Sequence, residues 1–307
     1  MCAKQLGPIT NRYRVLAFEL PVRTAPDFFA DTIKTMPMGS ILAERVGEIP
    51  KVLGGLLFDW LRVAMSVKGR AVDGFVPRRY VQKLHSSGLL PEAHLEKALG
   101  TVRRNSLGRV YRLNEEPMPR RPVGGSDTAI FGRIIDWLDV EHSLRYREEP
   151  GKTFCNIYAH DFACLCGAYI PRVWWTADAL AKLQAGESVV PDYGKTVREQ
   201  RANDLFDWLT THGSAFGWRK LADATAAQDA ANAGQLVVMV GKRIDTSKPG
   251  HISVVVPETP RHKADRKDGQ VVGPLQSQAG GTNYNYYNKN WGISAGKWRD
   301  RGFWSHP

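Results

Sequence analysis

The chain has 307 residues, enough for two domains with separate cores, and a hydrophobic fraction of 43% that is ordinary for a folded globular protein. Its unbroken apolar runs are short segments such as Leu236–Val240, far below the ~20 residues a membrane-spanning helix needs, so no membrane span is expected. A net charge of +11 and a pI near 9.5 favour a polyanionic partner, whether nucleic acid, an acidic membrane surface or a bacterial cell wall. The basic residues are dispersed, with brief clusters such as Pro119-Arg120-Arg121-Pro122, and no stripe of arginines alternates with stacking aromatics. Nucleic acid is therefore not the expected partner. Met1–Pro8 carries one lysine and no apolar stretch of signal-peptide length follows it, so export by the Sec route is not expected.

Residues 12–83 alternate short β-type runs with turns: Tyr13–Ala17, Leu20–Pro26, Met38–Leu42, Trp60–Ala64 and Gly74–Val81. Several short strands at regular spacing predict a small β-barrel. Residues 84–125 are rich in Gly, Pro, Arg and Ser and read as a linker, with a short helix at Pro91–Leu99 stopped by Gly100. A second domain is expected over 126–307.

Ser126-Asp127-Thr128 reads as a helix cap, followed at helical spacing by Ile130, Phe131, Ile134, Ile135, Trp137 and Leu138. Further helices are expected from Cys155 to near Gly167, from Arg198 to His212 and from Ala226 to Ala233. Strands follow at Gln235–Gly241, His251–Val256 and Gln270–Ala279. Helices first and an antiparallel sheet after them make an α+β arrangement.

The four cysteines are Cys2, Cys155, Cys164 and Cys166. Cys164 and Cys166 lie two apart and do not face each other on a helix, so they read as small buried apolar residues rather than a disulfide. No Cys or His pair stands at zinc-like spacing, and no metal or cofactor is expected. Cys155 opens a helix and His251 opens a strand. A helix N-terminus and a neighbouring imidazolium both favour the thiolate, which makes Cys155 the candidate nucleophile and His251 its acid–base partner. His160 lies five residues after Cys155, turned away from the thiol, and Asp161 is expected to pair with a nearby base.

Two resemblances follow from these residues. Leu20, Val22, Arg23 and Pro26, then Gly39, Trp60, and finally Gly74, Phe75, Val76 and Tyr80 follow the order of the bacterial SH3 domain. That resemblance implies a barrel that anchors an enzyme to peptidoglycan or to another protein. Cys155-Asn156, the aromatic-rich continuation to Gly167, the run Gly250–Pro257 and the polar run Leu275–Gly280 resemble the papain-like amidases of the NlpC and CHAP kind. In CHAP-type enzymes a third polar residue, from the strand after the histidine strand, orients the imidazole. Gln276 and Gln278 occupy that place and share one strand face. Gln276 is the favoured orienter and Gln278 a flanking substrate-binding residue, with the roles open to exchange. Asn156 and Trp174 are the other candidate substrate-binding residues, and the Cys155 N–H is the first candidate oxyanion donor.

The resemblance implies a thiol hydrolase that cleaves an amide bond in bacterial peptidoglycan, either the amidase or the endopeptidase bond. Without a Sec signal, such an enzyme is made in the cytoplasm and reaches the periplasm or the wall as a phage-type lysin or an injected antibacterial effector. The effector would require an immunity protein. The alternatives are a thiol protease or deamidase acting on proteins, and a non-catalytic module binding wall or protein.

Overall fold

The computed structural model describes residues 9–15, 17, 19–37, 40–45, 60–67, 70–84, 90–95, 101–121, 127–184, 187, 189–291 and 296–307. The chain divides into two compact units, Met1–Ala93 with Trp175–Val197, and His94–Trp174 with Arg198–Pro307.

The first unit is built on seven strands: β1 (Ile9–Val15), β2 (Glu19–Arg23), β3 (Thr32–Pro37), β4 (Ile41–Arg45), β5 (Trp60–Val67), β6 (Arg70–Pro77) and β7 (Val81–Leu84). They form one antiparallel sheet in the order β3-β2-β6-β5-β4-β1-β7. Alternating residues such as Leu20 and Val22, or Leu61 and Val63, turn into a core shared with Tyr13, Val15, Leu42 and Val76. Gly74 lets β2 cross β6 closely, since a Cβ there would sit 2.4 Å from Val22 Cγ1. Among the described residues the expected closed barrel is not found. β3 and β7 are the two edges of an open sheet, and β3 has no fully buried residue with which to close it.

Residues 84–125 are not a free linker. Within 101–121, Arg109 donates to the carbonyls of Leu144 and Arg145 and pairs with Glu149, and Arg121 donates to the Gly234 carbonyl. This segment belongs to the second unit. Conversely, 175–197, with α3 (Ala177–Gln184), belongs to the first. The helix expected at Pro91–Leu99 is absent over 91–95, where the Pro91 carbonyl is taken by the Trp175 indole at 2.7 Å, and 96–99 lie outside the described residues.

In the second unit α1 (Ala129–Leu138), α2 (Cys155–Leu165), α4 (Ala202–Thr211) and α5 (Ala224–Asn232) accompany an antiparallel sheet. Its order is β10 (Arg219–Leu221), β17 (Trp298–His306), β11 (Leu236–Arg243), β12 (His251–Val255), β15 (Gln276–Gln278) and β16 (Tyr284–Tyr287). Two ribbons stand apart: β8 (Val173–Trp175) with β9 (Val197–Glu199), and β13 (Asp265–Lys267) with β14 (Gln270–Gly273). The single strand expected over 270–279 is broken at Gly273-Pro274, where the Asn288 carbonyl presses on Gly273 and leaves no room for a Cβ. The architecture is thus mixed α and β with antiparallel sheets. Among the described residues no helix is long and apolar enough to cross a membrane.

Strand alternation divides the sheet into two faces. Lys242 of β11 reaches Asp207 of α4 at 2.6 Å, and Tyr158 of α2 bonds Ser277 of β15 at 2.6 Å, so α2 and α4 cover one face. Val237, Met239 and Val255 pack with Ala227 and Ala231 of α5 on the other.

A buried ion pair fastens α2 from behind. Arg145 and Asp161 are both fully inaccessible, with Nε to Oδ2 at 2.6 Å. Tyr146 Oη donates to the same oxygen at 2.9 Å, and Arg145 also donates to the carbonyls of Gly108 and Tyr111. Burial alone would push the Asp161 carboxyl up, but Arg145 and His160 beside it hold it down at about 2. Burial keeps His160 below its ordinary 6.5. Both effects have the same sign on acidification. Stability carried by Asp161 is complete above its ordinary 3.8 and is lost as pH falls through about 2, while His160 costs stability as pH drops below 6.5. Asp161→Asn, which leaves Arg145 buried without its charge partner, is expected to cost about 3–5 kcal/mol at neutral pH in urea titrations. The same titrations repeated down to pH 2 should show the wild type losing stability in two stages and Asp161→Asn lacking the lower one.

Candidate active site

The start of α2 is prepared by the chain before it. Glu149 and Lys152 form a tight backbone bridge, and the Arg109 guanidinium lies 3.7 Å over the ring of Phe154, the residue that precedes the helix. Phe154 supplies no side-chain cap, so the first N–H groups of α2 are free to serve the sulfur. The backbone N–H groups of Ile252, Asn156 and Cys155 itself favour the Cys155 thiolate. Burial nevertheless pushes this thiol up from 9.0, against those three donors.

The Ile252 N–H is available because two strands part. β12 pairs with β15 only at Val254↔Ser277 and Val255↔Gln276. Beyond Val254 the ladder stops, and Ile252 donates to Cys155 where a β15 carbonyl would otherwise stand. Ile252 faces α2, whereas His251, one residue earlier, turns to the opposite face with Gln276 and Gln278. The thiol and the imidazole therefore meet the start of β12 from its two sides, and no hydrogen bond links them in the free protein.

His251 is held on three sides. Its Nε2 lies 2.8 Å from Gln278 Oε1, so Nε2–H donates and Nδ1 keeps its lone pair. The Trp291 ring meets it edge-on at 4.6 Å between centroids. Gly280 forms the third side, where a Cβ would stand at ordinary contact distance, 3.6 Å from His251 Cε1. Burial lowers the His251 pKa from 6.5, opposed by the Gln278 bond and assisted by the charge of Arg243. The resting pair is therefore a neutral thiol and a neutral imidazole.

The imidazole bond goes to Gln278, not to Gln276. Gln276 is fully buried, and its Oε1 accepts from Ser253 Oγ at 2.6 Å and from Trp291 Nε1 at 2.7 Å, so it holds the tryptophan that flanks His251. Asn156, expected to bind substrate, is buried. Its amide donates to Glu199 and to the Gln200 carbonyl, tying α2 to the chain before α4. Trp174 is also no wall of the site, being 6% exposed in an aromatic cluster with Tyr169, Trp208 and Phe216. Among the described residues no group of His, Cys, Asp or Glu is arranged to hold a metal ion.

Sequence reasoning passed over Asn203 and Gly250. Asn203 accepts from the Arg243 N–H and donates to the Thr246 and Lys248 carbonyls, clamping the turn that leads into His251. Gly250 is required there because a Cβ would lie 2.5 Å from Asn203 Oδ1 and 2.6 Å from the Gly241 carbonyl. The Gly-His pair at a strand start was the available signal. A cleft of about 570 Å³ opens elsewhere, between the start of α5 and β17, lined by Lys220, Asp223, Met239, Trp298 and Phe303. It contains neither Cys155 nor His251.

Replacing the amide by a carboxylate tests the orienter. In Gln278→Glu a negative charge against Nε2 favours imidazolium, so the His251 titration should move upward by about one to three pH units. Alkylation of Cys155 by iodoacetamide, followed by peptide mass mapping, should then be faster than wild type near pH 6, and Gln276→Glu should not reproduce the gain. Comparison with protein-family models, curated proteins and solved structures finds no match to this chain.

Proposed function

We propose that the chain is a cysteine hydrolase that cleaves an amide bond of bacterial peptidoglycan, with Cys155 as nucleophile, His251 as acid and base, and Gln278 as the orienter of the imidazole. The observation that supports this reading is that the Ile252 N–H favours the Cys155 thiolate while His251, the residue before Ile252, has its Nε2 held by Gln278. The substrate class rests on the resemblance of Cys155-Asn156, Gly250–Pro257 and Leu275–Gly280 to NlpC and CHAP amidases, and on the net charge of +11.

Because the resting pair is neutral, the thiol proton moves to Nδ1 of His251 as sulfur attacks the amide carbonyl, closing the separation that the free protein keeps. The oxyanion develops beside the first turn of α2, where the N–H groups of Cys155 and Asn156 are the donors at hand. Collapse breaks the C–N bond, and the imidazolium gives its proton to the leaving amine. A thioester to Cys155 remains. Water then attacks it, losing a proton to His251, and the departing thiolate takes that proton back. Gln278 keeps Nε2 protonated throughout, so that Nδ1 is the nitrogen that exchanges protons.

Incubation of the full chain with purified sacculi, followed by mass spectrometry of the soluble fraction, is expected to show released muropeptides whose new ends identify the bond. Cys155→Ala and His251→Ala should each reduce release by several orders of magnitude and by similar factors, because the two groups act as a unit. Intact sacculi after incubation with folded wild-type protein would reject peptidoglycan as the substrate, and release by Cys155→Ala would reject the mechanism.

A further inference from the structure

Arg243 ends β11 on the sheet face that carries His251, and among the described residues it has no carboxylate partner. Arg121 of this unit likewise meets carbonyls, whereas Arg145 has Asp161, Arg172 has Glu199 and Lys242 has Asp207. The Arg243 side chain is nevertheless fixed. Its Nε donates to the Pro249 carbonyl at 3.1 Å, and its guanidinium lies 4.6 Å over the ring of Trp298. Trp298 rests on Trp291 at 5.1 Å, and Trp291 rests on His251 at 4.6 Å. Gly241, which pairs with His251, makes room for both indoles, since a Cβ there would lie within 2.9 Å of each.

This row places a half-buried guanidinium, whose terminal nitrogens have no hydrogen-bond partner among the described residues, on the sheet face that carries His251. Its charge is felt at His251, where it opposes protonation. An unpaired charge withdrawn from water is costly to keep, and a stacked, pre-oriented fork is the arrangement that receives a carboxylate with little loss of side-chain freedom. We infer that Arg243 is a specificity residue that binds a carboxylate of the substrate, so that the preferred substrate is a peptide amide with a free carboxylate close to the scissile bond. The inference rests on the hydrolase reading of Cys155 and His251 and names the chemistry of its substrate.

The test uses the full chain and two muropeptides that differ only in one stem-peptide α-carboxylate, free in one and carboxamide in the other. The wild type is expected to favour the free acid in kcat/KM by on the order of 10- to 100-fold, as one charge-assisted hydrogen-bond pair allows. Arg243→Gln should bring that preference to within about twofold of unity, mainly through KM, and Arg243→Lys should restore part of it. A wild type without the preference, or an Arg243→Gln that slows both peptides by the same factor, would overturn the assignment and leave Arg243 as a prop for Trp298. Calorimetric binding of the same two peptides to full-length Cys155→Ala, with and without Arg243→Gln, separates this question from catalysis. A binding preference that Arg243→Gln removes supports the carboxylate site even where the wild type cleaves neither peptide, which would reject the hydrolase reading alone. Absence of any binding preference would reject the site.

Discussion

The end of pairing between β12 and β15 beyond Val254 is the constraint on which the candidate site depends. A continued ladder would direct the Ile252 N–H to a neighbouring strand and leave the Cys155 sulfur with helix donors alone. The parting also lets two side-chain layers reach one place, α2 from one face and His251 with its glutamines from the other. Where the ladder ends, side-chain bonds take over the link between the two strands. Gln276 is committed to Ser253 and Trp291, Gln278 to His251, and the chain past Gln278 turns through Gly280, whose N–H is taken by Asn283 Oδ1 at 2.9 Å. Asn283 in turn donates to the carbonyls of Val140 and Tyr146, so the turn is anchored to the segment that precedes α2.

An amide in the orienting position has electrostatic consequences. A carboxylate would stabilise imidazolium and, through it, a preformed thiolate. Gln278 fixes the tautomer without supplying charge, and Arg243 adds a positive potential of the wrong sign for imidazolium. With the thiol itself buried, the proposed mechanism postpones charge separation to the moment of attack, when an incoming carbonyl provides the place for negative charge.

Much of this site was legible in the sequence, for reasons that can be named. Cys155 follows Gly-Lys-Thr-Phe and opens an apolar helical stretch, and His251 follows Gly250 into a β-branched run; both are local signals, and both elements begin at those residues. Gln276 and Gln278 share a face by alternation alone. Choosing between them needed the register Val254↔Ser277, which depends on β15 being a separate short strand after Pro274. The burial of Asn156 and Trp174 left no local mark in the sequence, since their partners include Glu199 and Trp208, each more than thirty residues away. β17 went unseen because Arg299, Asp300 and Arg301 interrupt its apolar pattern, yet it pairs along the whole of β11. The open sheet of the first unit includes strands near most of the expected runs and one, Thr32–Pro37, that was not expected, and the expected closure is not encoded by any local pattern.

The chain returns to its first unit late. Residues 175–197 complete a unit whose strands all lie before residue 93, and they interrupt the second unit between the helix of Cys155 and the strand of His251. During synthesis the first unit therefore lacks part of itself until about two-thirds of the chain has emerged, and the second cannot close until the C-terminal strand arrives, so the usual N-to-C order of domain folding is suspended. The same threading bears on evolution and engineering. Neither unit can be exchanged by a single recombination crossover, and Cys155 and His251 are inherited on opposite sides of an insertion that belongs to the other unit.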